Sequence, residues 1–265
     1  MTTTANNDWN PGTYARFRGL RLRPARDLIH AIDTIPAGPV VDLGCGAGTV
    51  GPVLAARFGD RSLIGVDTSP AMLAEAAKVG IYDHLTRADI AGWTPEGRAA
   101  RPALIFSNAV LHWLDDHESL LPRLARLLPP GGVLAVQMPG QFHAPSHRLL
   151  REIAATLFPD RFGAIATGSP VSGPDDYARL LAPFGQVQAW ETTYSQRLDA
   201  GSDAHPVRRF TESTAMRPFL GPLSEGEADQ FIAAYEAELA RAYPREDDGS
   251  VLFAFRRVFF TLERA

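Results

Sequence analysis

Three aspartates close successive apolar runs: Asp42 in Val40–Leu43, Asp67 after Ser62–Val66, and Asp89 after Leu85–Ala88. A carboxylate in such a place accepts hydrogen bonds from a ligand. Asp67 suits the paired hydroxyls of a ribose, a role that an acid at this kind of spacing plays in nucleotide-binding folds. Asp89, followed by Ile90, suits an adenine amino group, and Asp42 suits a positive group such as an ammonium. Directly after Asp42-Leu43 comes Gly44-Cys45-Gly46-Ala47-Gly48. Glycine permits positive φ and lets backbone approach a ligand closely. Taken singly, each acid also reads as a helix cap or a solvated turn residue. The glycine loop and the three acids together, in register, point to a nucleoside ligand that carries positive charge. Cys45 reads as a small loop filler, because no His or Lys stands near in sequence to activate it.

These acids meet only if the preceding elements bring their ends together. Pro24–Ile32 reads as a helix with Leu28, Ile29 and Ile32 on one side, and Val40–Leu43 as the first strand. A helix follows at Pro52–Phe58, with Pro52 in its first turn, where the missing N–H costs nothing. Strand two is Ser62–Val66; Thr68 or Ser69 then caps a helix with Met72, Leu73 and Ala76 toward the sheet. Strands follow at Leu85–Ala88 and Ala103–Asn108, then a helix at Ser119–Leu128 that Pro129-Pro130-Gly131-Gly132 breaks. Val133–Met138, stopped by Pro139, is strand five. A helix at His147–Leu157, a loop at Pro159–Pro174 and a helix at Asp175–Ala182 lead to strand six at Val187–Tyr194. Residues 206–244 are largely helical, and Val251–Leu262 is the last strand. The alternation predicts an α/β, Rossmann-like, mostly parallel seven-stranded sheet with helices on both faces. Ligands of such sheets bind beyond the carboxyl ends of the strands. We expect one domain over 1–265, with an N-terminal arm (1–24) and a helical insertion (about 206–244) as a cap over the active site.

Composition narrows the partners. The 265 residues carry a formal charge of −4 with 45% hydrophobic and 21% charged residues, so no global basic field draws the chain to nucleic acid or anionic lipid. An anionic ligand must be held by a few local cations. One cysteine excludes an internal disulfide framework, which fits a reducing compartment. Met1–Asp8 is polar and lacks the order of a signal peptide. The apolar run Val251–Phe260 is interrupted by Arg256 and Arg257 and falls short of the ~20 residues that span a bilayer. The expectation is a cytoplasmic protein, monomer or weak homodimer, with a small-molecule substrate. His112 with His117, and His143 with His147, have no accompanying carboxylates, so no metal site is expected.

Gly46-Ala47-Gly48-Thr49-Val50-Gly51 also satisfies the dinucleotide fingerprint G-x-G-x-x-G. The apolar strand, however, ends at Asp42-Leu43, which makes Gly44 the first turn glycine, and in that phase position 49 is Thr. Asp42 at the strand mouth is poor company for a pyrophosphate but suits an ammonium and a sulfonium. The pattern therefore favours S-adenosyl-L-methionine over a nicotinamide cofactor.

From here the chain resembles a class I methyltransferase, and specific segments resemble the trans-aconitate 2-methyltransferase family. They are Asp8-Trp9-Asn10-Pro11, Tyr14 and Arg21-Leu22-Arg23-Pro24 at the start, Val41–Gly46, Asp67–Met72, and Ser107-Asn108-Ala109 through Leu111-His112-Trp113. Leu134–Pro139, Trp190–Tyr194, Arg217-Pro218, Tyr243-Pro244 and Phe255-Arg256-Arg257 complete the likeness, which covers nearly the whole chain. The loop departs from the family in carrying Ala47 where Pro is common.

The resemblance implies methyl transfer from adenosylmethionine to one carboxylate of trans-aconitate, giving a monomethyl ester. It implies a cofactor site of Arg23, Asp42, Gly44, Gly46, Asp67, Thr68, Met72, Asp89, Ile90 and Asn108. The acceptor is expected at Tyr14, Arg21, His112, Trp113, Gln137, Tyr194, Arg217, Tyr243, Arg256 and Arg257. A carboxylate with a pKa of ~4 is already a nucleophile at neutral pH, so no catalytic base is assigned. Arginine is the fitting holder of a polycarboxylate because its planar fork meets carboxylates bidentately. Neighbours on a strand face opposite sides, so Arg256 and Arg257 should not both enter one pocket, and Arg257 is preferred. Taken alone, each arginine reads as a solvated charge and each tyrosine as a core aromatic. An alternative acceptor is another small acid or a phenol, for which His112 becomes a general base. A non-catalytic scaffold and a nicotinamide-dependent reductase are the readings from other classes.

Overall fold

Strands form where β-branched and aromatic runs can be buried on both faces, as parallel sheets require. In the computed structural model, which describes residues 18–164, 168–201, 204–212 and 214–265 (without the side chains of Arg18, Leu20, Arg21 and Arg98), these runs build one seven-stranded sheet. The strands are β1 (Val40–Leu43), β2 (Leu63–Asp67), β3 (His84–Arg87), β4 (Leu104–Asn108), β5 (Val133–Pro139), β6 (Gly185–Leu198) and β7 (Val251–Arg264), in the order β3-β2-β1-β4-β5-β7-β6. β1 pairs in parallel with both β2 and β4, β2 with β3, and β4 with β5. β7 is antiparallel: Arg264, at its end, exchanges hydrogen bonds with Gly131 and Gly132 just before β5 begins. The register aligns Asp42 with Gly65 and Phe106, and Asn108 with Gln137, so the carboxyl ends of the parallel strands lie along one edge.

The helices are α1 (Arg18–His30), α2 (Gly51–Phe58), α3 (Pro70–Val79), α4 (His117–Leu127), α5 (Pro145–Leu157), α6 (Pro159–Phe162), α7 (Pro174–Leu181), α8 (Pro206–Glu212), α9 (Arg217–Leu220) and α10 (Glu225–Ala242). The cap foreseen at position 68 or 69 is Ser69, whose hydroxyl accepts from Met72 N at 3.2 Å, with Pro70 as the first helical residue. Several boundaries differ from expectation. α1 starts at Arg18, so Pro24 lies inside the helix instead of opening it; a proline there forfeits one intrahelical bond, which the buried Ala25, Leu28 and Ile29 face offsets. α4 begins two residues early because Asp116, at φ 57°, caps it through Ser119 N. The loop expected at 159–174 opens with the short α6. β6 is 14 residues long, extending beyond Val187–Tyr194 at both ends.

The chain divides into two compact units. The first takes the described parts of Met1–Met138 with Ser172–Glu191 and Val258–Ala265; the second is Pro139–Val171 with Thr192–Arg257. In the first, the fully buried Leu28, Leu43, Leu54, Ile64, Leu104 and Phe106 form the core, and Trp190 stacks on Phe259 at 5.0 Å. The second has an aromatic core: Phe231 lies against both Phe219 and Tyr235, and Phe210, Phe253 and Phe255 pack mutually within 5.5 Å. Tyr235, fully buried, donates its hydroxyl to Ser146 O at 2.7 Å, tying α10 to the start of α5. Among the described residues no helix is long and apolar enough to cross a membrane.

Candidate active site

The glycine loop begins where β1 runs out of hydrogen-bonding partners. Gly44 N and Cys45 N both donate to Val66 O, at 2.7 and 3.0 Å, which pins the turn to the end of β2. Asp67 then takes Gly46 N on Oδ2 at 2.8 Å and Ser69 N on Oδ1 at 2.9 Å. One carboxylate thus fastens the loop to the start of α3, and each oxygen keeps a second lone pair for a ligand hydroxyl. The glycines serve different ends. A Cβ on Gly44 would meet Val110 Cγ2 at 2.5 Å, and one on Gly51 would meet the Tyr82 ring and hydroxyl at 2.8 Å. A Cβ on Gly46, at φ +53°, meets nothing within 4 Å. Of these three, only Gly46 presents open backbone to a ligand.

Asp42 is 2% exposed, and its Oδ2 accepts from the Tyr82 hydroxyl at 2.7 Å. Burial pushes its pKa up from 3.8 to about 7; the Tyr82 hydrogen bond opposes that rise and the Asp67 charge adds to it. The Cys45 thiol is pushed far above its ordinary value by burial and by Asp42 and Asp67, so it stays protonated, as expected of a filler.

Apart from Arg23, the remaining described residues foreseen on the first unit lie at or just beyond the carboxyl ends of β2 to β5. Thr68 is exposed, and its carbonyl accepts from Arg87 Nε at 3.3 Å. Met72 and Ile90 are buried, whereas Asp89 is exposed and its Oδ1 accepts from Ala91 N at 3.0 Å. Asn108 closes β4, and its Oδ1 is buried without a hydrogen-bond partner. An unsatisfied buried acceptor is costly and calls for a ligand donor. Ala109, at φ 58°, turns the chain sharply there and donates to Gln137 O at 2.9 Å. Gln137 is fully buried; His112 is half-buried, its ring centroid 4.8 Å from that of Trp113, which is 45% exposed. Arg23 is exposed on α1. Asp42, Gly46, Asp67 and Asn108 together fit a nucleoside with a cationic tail: an acid for the cation, open backbone, an acid for hydroxyls and an unmet acceptor.

On the second unit, Arg257 is 4% exposed with its guanidinium carbon 4.3 Å from the Phe255 ring centroid. Arg256, on the other side of β7, donates Nε to Gly140 O at 2.9 Å, so the two arginines part as strand alternation requires. Tyr194 is buried on β6, and Arg217 is half-buried at the start of α9. The Tyr243 hydroxyl accepts from Ser146 N at 3.2 Å. His147 of α5 was not foreseen as part of a site. Burial, then the charges of Arg151 and Arg257, lower its pKa from 6.5 to about 4, so it is neutral at pH 7 beside two guanidiniums. Tyr82 was also missed, since its partner lies 40 residues away in sequence. Tyr14, the Asp8–Pro11 segment and the Arg21 side chain lie outside the described residues.

A methyltransferase-domain family matches residues 14–185. A trans-aconitate 2-methyltransferase of Methylobacterium radiotolerans is 44% identical over 97% of this chain and 99% of its own length. That of Paracidovorax citrulli is 42% identical over 98% and 99%. The chain belongs to the trans-aconitate 2-methyltransferase family. A family member from Azoarcus sp. is 41% identical over 97% of this chain and 99% of its own. Solved structures share the fold at much lower identity. The YcgJ protein of Bacillus subtilis, 14% identical, gives a TM-score of 0.52 over 95% of this chain and 99% of its own. Haemonchus contortus phosphoethanolamine N-methyltransferase 2, in complex with S-adenosyl-L-methionine, gives 0.51 at 16% identity over 93% of this chain and 53% of its own. The likeness to the family thus runs from end to end, and the seven-stranded, mostly parallel, Rossmann-like sheet is the one foreseen for a class I methyltransferase.

Proposed function

We propose that the chain transfers the methyl group of S-adenosyl-L-methionine to a carboxylate of trans-aconitate, giving a monomethyl ester and S-adenosylhomocysteine. The observation that carries this is identity above 40% to trans-aconitate 2-methyltransferases along nearly the entire length. Mass spectrometry of the product formed from the two substrates tests it; no mass gain of one methyl on trans-aconitate refutes it.

When bound, the cofactor supplies a methyl carbon on a sulfonium, which the acceptor oxygen takes as the carbon–sulfur bond breaks and leaves a neutral thioether. Asp67, already holding the loop through Gly46 N, accepts the ribose hydroxyls. Asp42 faces the ammonium end, Gly46 gives room for close approach, and the Asn108 side-chain oxygen receives a donor it otherwise lacks. Asp89 with Ile90, Met72, Thr68 and Arg23 complete the cofactor site. The acceptor carboxylate has a pKa of ~4 and needs no base, so the protein's task is alignment and exclusion of water. Arg257, desolvated and fixed against Phe255, is the principal carboxylate holder; its fork binds two oxygens in one plane. The neutral His147 beside it adds a polar contact without adding a third positive charge. Arg217, Arg21, Gln137, His112 with Trp113, and the hydroxyls of Tyr14, Tyr194 and Tyr243 are the further acceptor contacts, whereas Arg256, turned to Gly140 O on the other side of the strand, is left out of the acceptor pocket. The setting proposed is the cytoplasm, as monomer or weak homodimer, with a small polycarboxylate as the partner; size-exclusion chromatography with light scattering tests the assembly.

A further inference from the structure

Tyr82 sits in the turn between α3 and β3, and its ring occupies a slot that three glycines keep clear. A Cβ would meet ring Cε2 at 3.1 Å from Gly48, Cζ at 2.8 Å from Gly51, and Cδ1 at 3.1 Å from Gly65. Gly48 belongs to the glycine loop, Gly51 opens α2, and Gly65 is central in β2, so one aromatic ring touches all three elements around the loop. The ring delivers its hydroxyl to Asp42 Oδ2 at 2.7 Å. Oδ1 of Asp42 accepts no hydrogen bond among the described residues.

We propose that Tyr82 is a positioning residue of the cofactor site, holding the glycine loop from beneath and fixing Asp42 so that Oδ1 is offered to the cofactor's ammonium. This rests on the reading above that Asp42 meets that ammonium. The ionisable groups facing Asp42 are Tyr82 from the α3–β3 turn, Asp67 from the end of β2, and Cys45 from the loop itself. Tyr82 supplies the hydrogen bond that favours the charged carboxylate, and Asp67 opposes it. A hydrogen bond to a charged group shifts a pKa by about one unit or more. Removing the phenol hydroxyl therefore moves Asp42 ionisation, and with it cofactor affinity, to higher pH.

The test is calorimetric titration of S-adenosylhomocysteine into the full chain and its Tyr82→Phe and Asp42→Asn variants, between about pH 6 and about pH 8.5. The parent weakens as pH falls below about 7, where Asp42 takes up its proton. Tyr82→Phe, which keeps the ring, binds about fivefold more weakly at pH 7 and regains parent affinity near the top of the range, for a shift of about one unit. Asp42→Asn is weakened and loses the pH dependence. A Tyr82→Phe profile that overlays the parent, or a loss equal at every pH, overturns the positioning role while a weakened Asp42→Asn leaves the cofactor reading intact. Parent affinity in Asp42→Asn overturns both. If Tyr82→Phe does not fold, 3-fluorotyrosine at position 82, a more acidic donor, must move the profile to lower pH; no movement overturns the proposal.

Discussion

Replacing Arg257 by lysine preserves the charge and removes the planar fork. Arg257 is 4% exposed and lies 4.3 Å from the Phe255 ring centroid, so it is already desolvated and oriented. Lysine can donate to a carboxylate from one point only, which forfeits one charge-assisted hydrogen bond, about 1.5–3 kcal/mol. Weaker stacking on Phe255 forfeits about 0.5–1 kcal/mol more. The sum, about 2–4 kcal/mol, corresponds to a fall of about 30- to 1000-fold in kcat/KM for trans-aconitate. Methyl ester formation measured against acceptor concentration gives that ratio, and calorimetry with S-adenosylhomocysteine gives the cofactor affinity, which should stay within about twofold. Equal losses in the two measurements, or an unchanged KM for the acceptor, would refute the assignment. Arg256→Lys serves as the control: its Nε is engaged with Gly140 O, so a smaller effect on KM is expected.

Other outcomes follow from the same geometry. Asp42 has a folded pKa of about 7 against an ordinary 3.8, so the stability it contributes is full below 3.8 and lost as pH rises through about 7. Asp42→Asn should therefore raise the melting temperature of the ligand-free protein at pH 8, with a ceiling of about 4 kcal/mol, while weakening cofactor binding; a lower melting temperature there would count against the assignment. His147 is the opposite case: its folded pKa of about 4 lies below 6.5, so stability is full above 6.5 and lost as pH falls toward 4. His147→Gln should flatten that acid loss, at most about 3 kcal/mol, in urea titrations compared at neutral pH and near pH 4.5. Gly44→Ala should unfold the protein at lower temperature, because the added carbon lands 2.5 Å from Val110 Cγ2. Gly46→Ala should melt within a few degrees of the parent, at a backbone cost of about 1 kcal/mol, and lose cofactor affinity. The reverse ranking would refute the division of labour between the two glycines.

Much of this was legible along the chain wherever the physics is local. The strands announced themselves as apolar runs bounded by Asp, Pro and Gly, and Ser69 with Pro70 marked the start of α3. The separation of Arg256 from Arg257 followed from strand alternation alone. What escaped depends on distant partners. Pro24 looks like a helix start, and only the burial of Ala25, Leu28 and Ile29 lets α1 continue back through it to Arg18. The match of residues 46–51 to a dinucleotide fingerprint has a different cause: Gly48 and Gly51 make room for the Tyr82 ring. No local pattern distinguishes Tyr82 from any other aromatic, or His147 from a surface histidine on an amphipathic helix.

The strand order has a consequence for how the protein is made. β7 is the last strand to be synthesised, yet it lies between β5 and β6. Until it emerges, β6 has no neighbour and β5 shows an unpaired edge, the kind of backbone that recruits foreign strands. Residues 258–265 also complete the first unit, so its sheet closes only after the whole second unit has been translated. A nascent chain stalled between Pro139 and Val251 would therefore carry a largely assembled nucleoside-binding edge beside an open, adhesive one, and chaperone dependence during synthesis is where this topology should be felt.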